Sequence, residues 1–287
     1  MVLLALNALW QPVGPGHRHV QSSSLTKEGF LEKLSGGRTG AKWQRRHMRV
    51  NANTRLVVLN SPSNPSGAVY NLAELTALGE VLRRHPQAII ATDDMYEHIL
   101  LQDAPFVNIL NACPDLYPRT MVLNGVSKAY AMTGWRIGYC AGPEMLITAM
   151  ENVQSQSTSN PTSISQVAAE AVLNGDQSCI QPMLTAFRER HQYVVAGLNA
   201  IPGVNCLHGG GAFYAFPDTR SAIARLHREG KLASATDVAF SEYLLEHAGV
   251  AVVPGSAFGA EGYVRLSFAT SMDNLKAALE RIHKLLA

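Results

Sequence analysis

Three short apolar runs constrain this chain more than any other feature: Leu56-Val57-Val58-Leu59, Ala88-Ile89-Ile90-Ala91 and Thr120-Met121-Val122-Leu123. Each is bounded by turn formers, and none alternates apolar with polar as a strand with one wet face does. The first breaks into Asn60-Ser61-Pro62-Ser63-Asn64-Pro65-Ser66-Gly67, which reads as turn. Residues 72–85 then carry Leu72, Leu75, Leu78 and Leu82 on one helical face. Strand, helix, strand, loop-rich connection and strand predict a doubly wound α/β unit. Its sheet is expected to be mostly parallel, with helices on both faces and its strands covered on both sides.

Downstream, helices are predicted over 143–154, 163–174 and 182–200, the last turning Leu184, Phe187, His191, Val194 and Leu198 inward. A glycine turn at 209–211 leads into a strand ending at Phe216. A helix near 235–247, strands over 250–253 and 263–268, and a closing helix over 271–286 complete a small α+β domain. The expected division is a segment 1–53, a large domain 54–190 and a small domain 191–287.

The first 53 residues are the least legible. A short helix is expected over 25–34. Arg38, Lys42, Arg45, Arg46 and Arg49 form a basic run that reads as a solvated loop rather than a nucleic-acid patch. The apolar start lacks a basic flank and is broken by Asn7, Gln11 and Pro12, so neither a membrane span nor a signal peptide is expected. With 24 basic against 22 acidic residues the net charge is +2, which steers the chain to neither nucleic acid nor membrane. Four cysteines without paired spacing read as reduced thiols, and the expected setting is the cytoplasm.

Ligands on open α/β sheets bind beyond the carboxyl ends of the strands. Here those ends carry Asn64, Asp93 with Tyr96, and Ser127 with Lys128, with Arg136 eight positions after the lysine. A lysine amine beside a hydroxyl and an arginine suits a Schiff base with a phosphorylated aldehyde cofactor, Ser127 and Arg136 taking phosphate oxygens. Asp93 fits the partner of a pyridine nitrogen, which a carboxylate keeps protonated. Tyr96 and Asn64 fit donors to a phenolic oxygen. Singly these signals are weak, since an aspartate after a strand is commonly a turn or cap residue.

Together they carry a resemblance. The stretches 60–67, Asp93-Asp-Met-Tyr-Glu-His98 and 124–139, with 154–161 and Gly211-Ala-Phe-Tyr214, resemble the fold-type I pyridoxal-phosphate aminotransferases, in particular the bacterial aspartate aminotransferase branch. The likeness covers roughly residues 54–287. It implies a pyridoxal-phosphate-dependent transferase fold and transamination between an amino acid, aspartate or similar, and a 2-oxo acid. It further implies Lys128 as the Schiff-base lysine and proton carrier, Asp93 at the pyridine nitrogen, Tyr96 and Asn64 at the phenolic oxygen, and Ser127 and Arg136 at the phosphate. Arg265 would grip the substrate α-carboxylate, with Asn64 also on the substrate side, while Ser159 and Asn160 would line the side-chain pocket. A homodimer is implied as well.

Lys128 lies in the first half of this chain, whereas in the family it lies past the midpoint. The expectation is therefore a relative shortened at its N-terminus, without the family's glycine-containing phosphate loop and ring-stacking aromatic. Two other readings share the same residues: a cofactor-dependent lyase or decarboxylase, and a non-catalytic remnant.

Overall fold

The computed structural model describes the backbone of residues 2–7 and all of residues 50–287. The helix expected at 25–34 and the basic run before Val50 lie outside the described residues. Two compact units divide the described residues: 2–7, 50–60, 70–95 and 107–177 form one, and 61–69, 96–106 and 178–287 the other.

The first unit holds a five-stranded sheet. Its strands are β1 (Val2–Asn7), β2 (Leu56–Asn60), β3 (Ile89–Asp93), β4 (Thr120–Gly125) and β5 (Ile137–Gly142), in the order β1-β5-β4-β3-β2. β2, β3 and β4 run parallel, whereas β5 is antiparallel to both β4 and β1. The sheet is thus mixed, and β5 begins inside a glycine-punctuated stretch that reads locally as loop. A Cβ on Gly125 would fall 3.1 Å from Gly138 Cα and 3.3 Å from Ile137 O, so glycine lets β4 and β5 approach closely.

Helix α1 (Leu72–Arg83) starts at a capping box in which Asn71 Oδ1 accepts the Glu74 amide at 2.9 Å and Glu74 returns the bond to the Asn71 amide. Its Leu75, Leu78 and Leu82 pack with Val57, Leu59, Ala88, Ile90 and Leu116. Each valine, leucine or isoleucine side chain so removed from water contributes about 1.5–3 kcal/mol. The helix ends on an arginine from outside it. Arg119 donates to the carbonyls of Leu82 at 2.6 Å, His85 at 3.2 Å and Ala88 at 2.6 Å, tying the last turn of the helix to the segment that leads into β3. After the short α2 (Ile109–Ala112), α3 (Glu144–Ser155) and α4 (Ser163–Asn174) match the expected helices to within a residue or two at each end.

One expectation fails here. Leu56 and Val58 alternate with buried Val57 and Leu59 and are 53% and 56% exposed, so β2, at the sheet edge, has one open face. Its all-apolar sequence does not register that asymmetry.

The second unit packs α5 (Ile180–Asn199), α6 (Arg220–Arg228), α7 (Asp237–Ala248) and α8 (Met272–Leu286) with a small antiparallel sheet ordered β6 (Tyr214–Ala215), β8 (Val264–Ser267) and β7 (Val253–Pro254). Phe187, His191, Val194 and Leu198 of α5 are buried as their spacing predicts; Leu184 is only partly covered. Two readings change. The strand expected over 250–253 shrinks to Val253–Pro254, and α6 forms where no helix was expected. Among the described residues no helix is long and apolar enough to cross a membrane.

Candidate active site

In the first unit, strand register decides which side chains share an edge. Asn60 pairs with Asp93, and Asp93 with Leu123, so the three parallel strands end together. Ser127 lies two residues beyond Gly125 and Arg136 two before its partner Gly138, so both leave the ladder at that end. Asp93, Ser127, Lys128 and Arg136 all belong to this unit.

The two adjacent aspartates are used differently. Asp94 is buried, accepting from the Thr92 hydroxyl at 2.6 Å and Asn108 Nδ2 at 2.7 Å, and its amide donates to Leu123 O at 2.9 Å. Asp93 stays partly open, and its carboxylate accepts a long bond from the Met95 amide, 3.3 Å. Burial pushes the Asp93 carboxyl up from its ordinary value, the Met95 amide and the Lys128 charge pulling against it. A cationic group set against this carboxylate would offset that cost. Ser127 is buried and Lys128 half-buried. Arg136 is exposed, has a left-handed backbone at φ 51° and donates to Thr133 O at 2.8 Å. Ser165 of α4 fixes the same turn through a 2.7 Å bond to Trp135 O.

Asn64, Tyr96 and Arg265 belong to the second unit. Arg265 Nη1 donates to Asn64 Oδ1 at 2.8 Å, and the guanidinium lies 4.6 Å from the Tyr214 ring centre and 5.1 Å from that of Phe258. Its Nε is buried and has no hydrogen-bond partner. A carboxylate would supply one, since the guanidinium fork meets two oxygens at once. The Tyr96 and Tyr214 hydroxyls lie 3.0 Å apart, both rings buried, and Phe213 meets Tyr96 edge-on at 5.5 Å.

Behind these residues is a glycine clasp. Gly67 O accepts from the amides of Gly210 and Gly211 at 2.8 and 3.0 Å. Gly67 sits at φ +67°, where a Cβ would fall 2.9 Å from Gly211 O. Only glycine meets both conditions without strain. His191 Nε2 accepts the Gly209 amide at 3.1 Å, and burial with the nearby His208 pushes His191 down to about 4.

The seven residues expected at the cofactor and the substrate α-carboxylate lie among the described residues, four in one unit and three in the other. Ser159, at φ +61°, and Asn160 are exposed in the turn between α3 and α4. The residues that sequence reasoning left without a role are Tyr214 and Phe258. The stretch ending at Tyr214 signalled likeness, but nothing local says which face its ring presents. Among the described residues no cluster of histidine, cysteine and carboxylate side chains could hold a metal ion. The donor set instead fits an aldehyde cofactor with an anionic arm: an amine, a carboxylate costly to leave uncompensated, and hydroxyl and guanidinium donors at one sheet edge.

Comparison with known proteins agrees. The sequence profile described as "Aminotransferase class I and II" matches residues 18–282, starting well before residue 54. An aspartate/prephenate aminotransferase from Nitrosomonas europaea is 68% identical over 234 residues, covering 82% of this chain and 59% of the relative. An aspartate aminotransferase from Rhizobium meliloti is 53% identical, covering 80% of this chain and 56% of the relative. The crystal structure of an aspartate aminotransferase from Rhizobium meliloti superposes with a TM-score of 0.76 at 50% identity, over 82% of this chain and 58% of that one. An aspartate aminotransferase from Thermus thermophilus with maleate gives 0.72 at 39% identity, over 83% and 58%. The chain spans somewhat under three-fifths of the length of these relatives.

Proposed function

This chain belongs to the aminotransferase class I and II family, with the fold-type I architecture and pyridoxal 5'-phosphate as the family's cofactor, and on that footing we propose that it transfers an amino group from an amino acid, aspartate or one like it, to a 2-oxo acid. The observation that carries this reading is the placement of Lys128 just past β4 at the sheet edge where β3 presents Asp93. The bound cofactor would supply an electron-accepting ring conjugated to the carbon that receives the amine. Lys128 Nζ would hold the aldehyde covalently at rest and, once displaced by substrate, carry the proton between the substrate Cα and the cofactor. Asp93 would keep the ring nitrogen protonated. Ser127 Oγ and the Arg136 guanidinium would take phosphate oxygens, Tyr96 and Asn64 would donate to the phenolic oxygen, and Arg265 would orient the substrate through its α-carboxylate.

The reading includes a homodimer in the cytoplasm. Its support is the exposed apolar set on two helices of the first unit: Met145 and Val153 on α3, 75% and 72% exposed, with Ile164 and Val167 on α4, 71% and 65%. None of the four cysteines forms a disulfide, in keeping with a reducing compartment.

The decisive experiment is the absorption spectrum of the purified chain with added pyridoxal phosphate, beside Lys128→Ala. A lysine-dependent band that bleaches with aspartate, with 2-oxo acid released, supports transamination. Release of ammonia or carbon dioxide instead would point to lyase or decarboxylase chemistry, and a folded chain without the band would refute the reading.

A further inference from the structure

We propose that Tyr214 is a positioning residue serving both ends of the site, its hydroxyl polarising Tyr96 and its ring seating the Arg265 guanidinium. The inference rests on the function proposed above and assigns a role to a residue that the comparisons leave without one.

The geometry separates the two tasks. Tyr214 and Tyr96 share a hydrogen bond at 3.0 Å while both rings are buried, so water competes little for either hydroxyl. If Tyr96 spends its proton on a phenolic oxygen of the cofactor, its own oxygen can accept from Tyr214 across the 3.0 Å contact. A donor that also accepts is strengthened, because hydrogen bonds in a chain polarise one another in a low dielectric. The ring acts separately. Arg265 lies 4.6 Å from its centre and 5.1 Å from that of Phe258, with Nη1 tied to Asn64. Two rings and one amide oxygen therefore restrict the guanidinium before any anion arrives, and the buried, unpartnered Nε is left for it. Tyr214 itself is fixed by ladder pairing with Ser267 on β8, the strand that carries Arg265. The hydroxyl and ring thus act on two different groups from one rigid mount.

Two variants read the tasks apart in the cofactor-loaded chain. Tyr214→Phe keeps the ring and removes the hydroxyl. A weaker donor leaves the phenolate less stabilised, so the bound cofactor should keep its proton to higher pH. The spectral pKa is expected to rise by about 0.2–0.5 unit, given about 10–30% strengthening per linked bond. Succinate affinity, measured calorimetrically, should stay within about twofold. Tyr214→Leu removes the ring as well, and succinate affinity should fall about three- to thirtyfold, the range for a desolvated cation–π contact. A Tyr214→Phe spectrum that titrates like the parent, with cofactor bound, overturns the hydroxyl's role. Unchanged succinate affinity in Tyr214→Leu overturns the ring's role. If the parent itself takes up no cofactor, the functional reading fails and the Tyr96 role fails with it, while succinate binding still decides the seating of Arg265.

Discussion

Arg265 and Asn64 are joined by a 2.8 Å hydrogen bond across 201 positions of sequence. The bond ties β8 to the turn that carries Asn64, inside the second unit. A lysine at 265 would keep the charge but lose the fork that serves an amide oxygen and a carboxylate together. Arg265→Lys is therefore expected to weaken aspartate or succinate binding about ten- to hundredfold and to change unfolding free energy by less than about 1 kcal/mol. Calorimetric binding beside urea unfolding checks both halves.

Asp93 makes an opposite pair of predictions. Burial raises its pKa, so as pH rises the unfolded chain loses this proton first and the folded chain bears the desolvation cost. The group's contribution to stability is present at low pH and declines as pH rises through the folded value. Asp93→Asn, which removes the charge, should make the cofactor-free chain at least as stable as the parent at pH 7, while cofactor affinity drops at least about tenfold. A loss of stability in the apo variant would contradict this account.

His191 titrates the other way from an ion-paired histidine. Its folded value is about 4 against an ordinary 6.5, so below pH 6.5 the unfolded chain takes up the proton while the folded chain does not. Stability is fully present above 6.5 and is lost as pH falls toward 4, by about 1–3 kcal/mol. The groups that set this value are the burying wall and His208, whose ring centre is 5.1 Å away. In His191→Phe the acid-side slope of the unfolding free energy should flatten over that window. Amides 209–211 should exchange faster, because Gly209 loses its acceptor.

Arg119 bears on stability alone. It donates to three carbonyls at and just beyond the end of α1. Arg119→Met should cost about 1–3 kcal/mol in denaturant unfolding. Arg119→Lys should recover part of that, one ammonium reaching fewer acceptors at once.

The outer face of β2 invites self-association. Leu56 and Val58 project from an edge strand with more than half of each residue exposed. Replacing both with threonine should lower the light scattering of concentrated protein and leave the unfolding midpoint within about 2 °C, since neither side chain is in the core.

How much of this was legible depended on whether the signal was local. Leu72, Leu75, Leu78 and Leu82 announce α1 because helical periodicity is written within a dozen residues. Asp93 and Lys128 were visible because one closes an apolar strand, the other comes shortly after one, and the parallel topology carries both to one edge. The antiparallel β5 was hidden: Gly138 and Gly142 look like loop until their close approach to β4 and its connection is seen. The roles of Tyr214 and Phe258 were hidden for another reason, since what matters is which ring faces Arg265, a relation between strands distant in sequence. The open face of β2 could not be read either, because four consecutive apolar residues look alike whether covered once or twice.

Lys128 follows β4, which is bonded on one side by β3 and on the other by β5. The mount of that side chain is the turn leaving this central strand, in which the Tyr130 amide donates to Val126 O and the Ala131 amide to Lys128 O, both at 3.3 Å, and the four-carbon stem adds its own swing. Substitutions in the flanking strands would move the pivot and change where the amine arrives; packing along the stem would change how often it gets there. In the proposed reaction, geometry and timing of proton delivery would thus fall to different sets of residues and be open to separate adjustment.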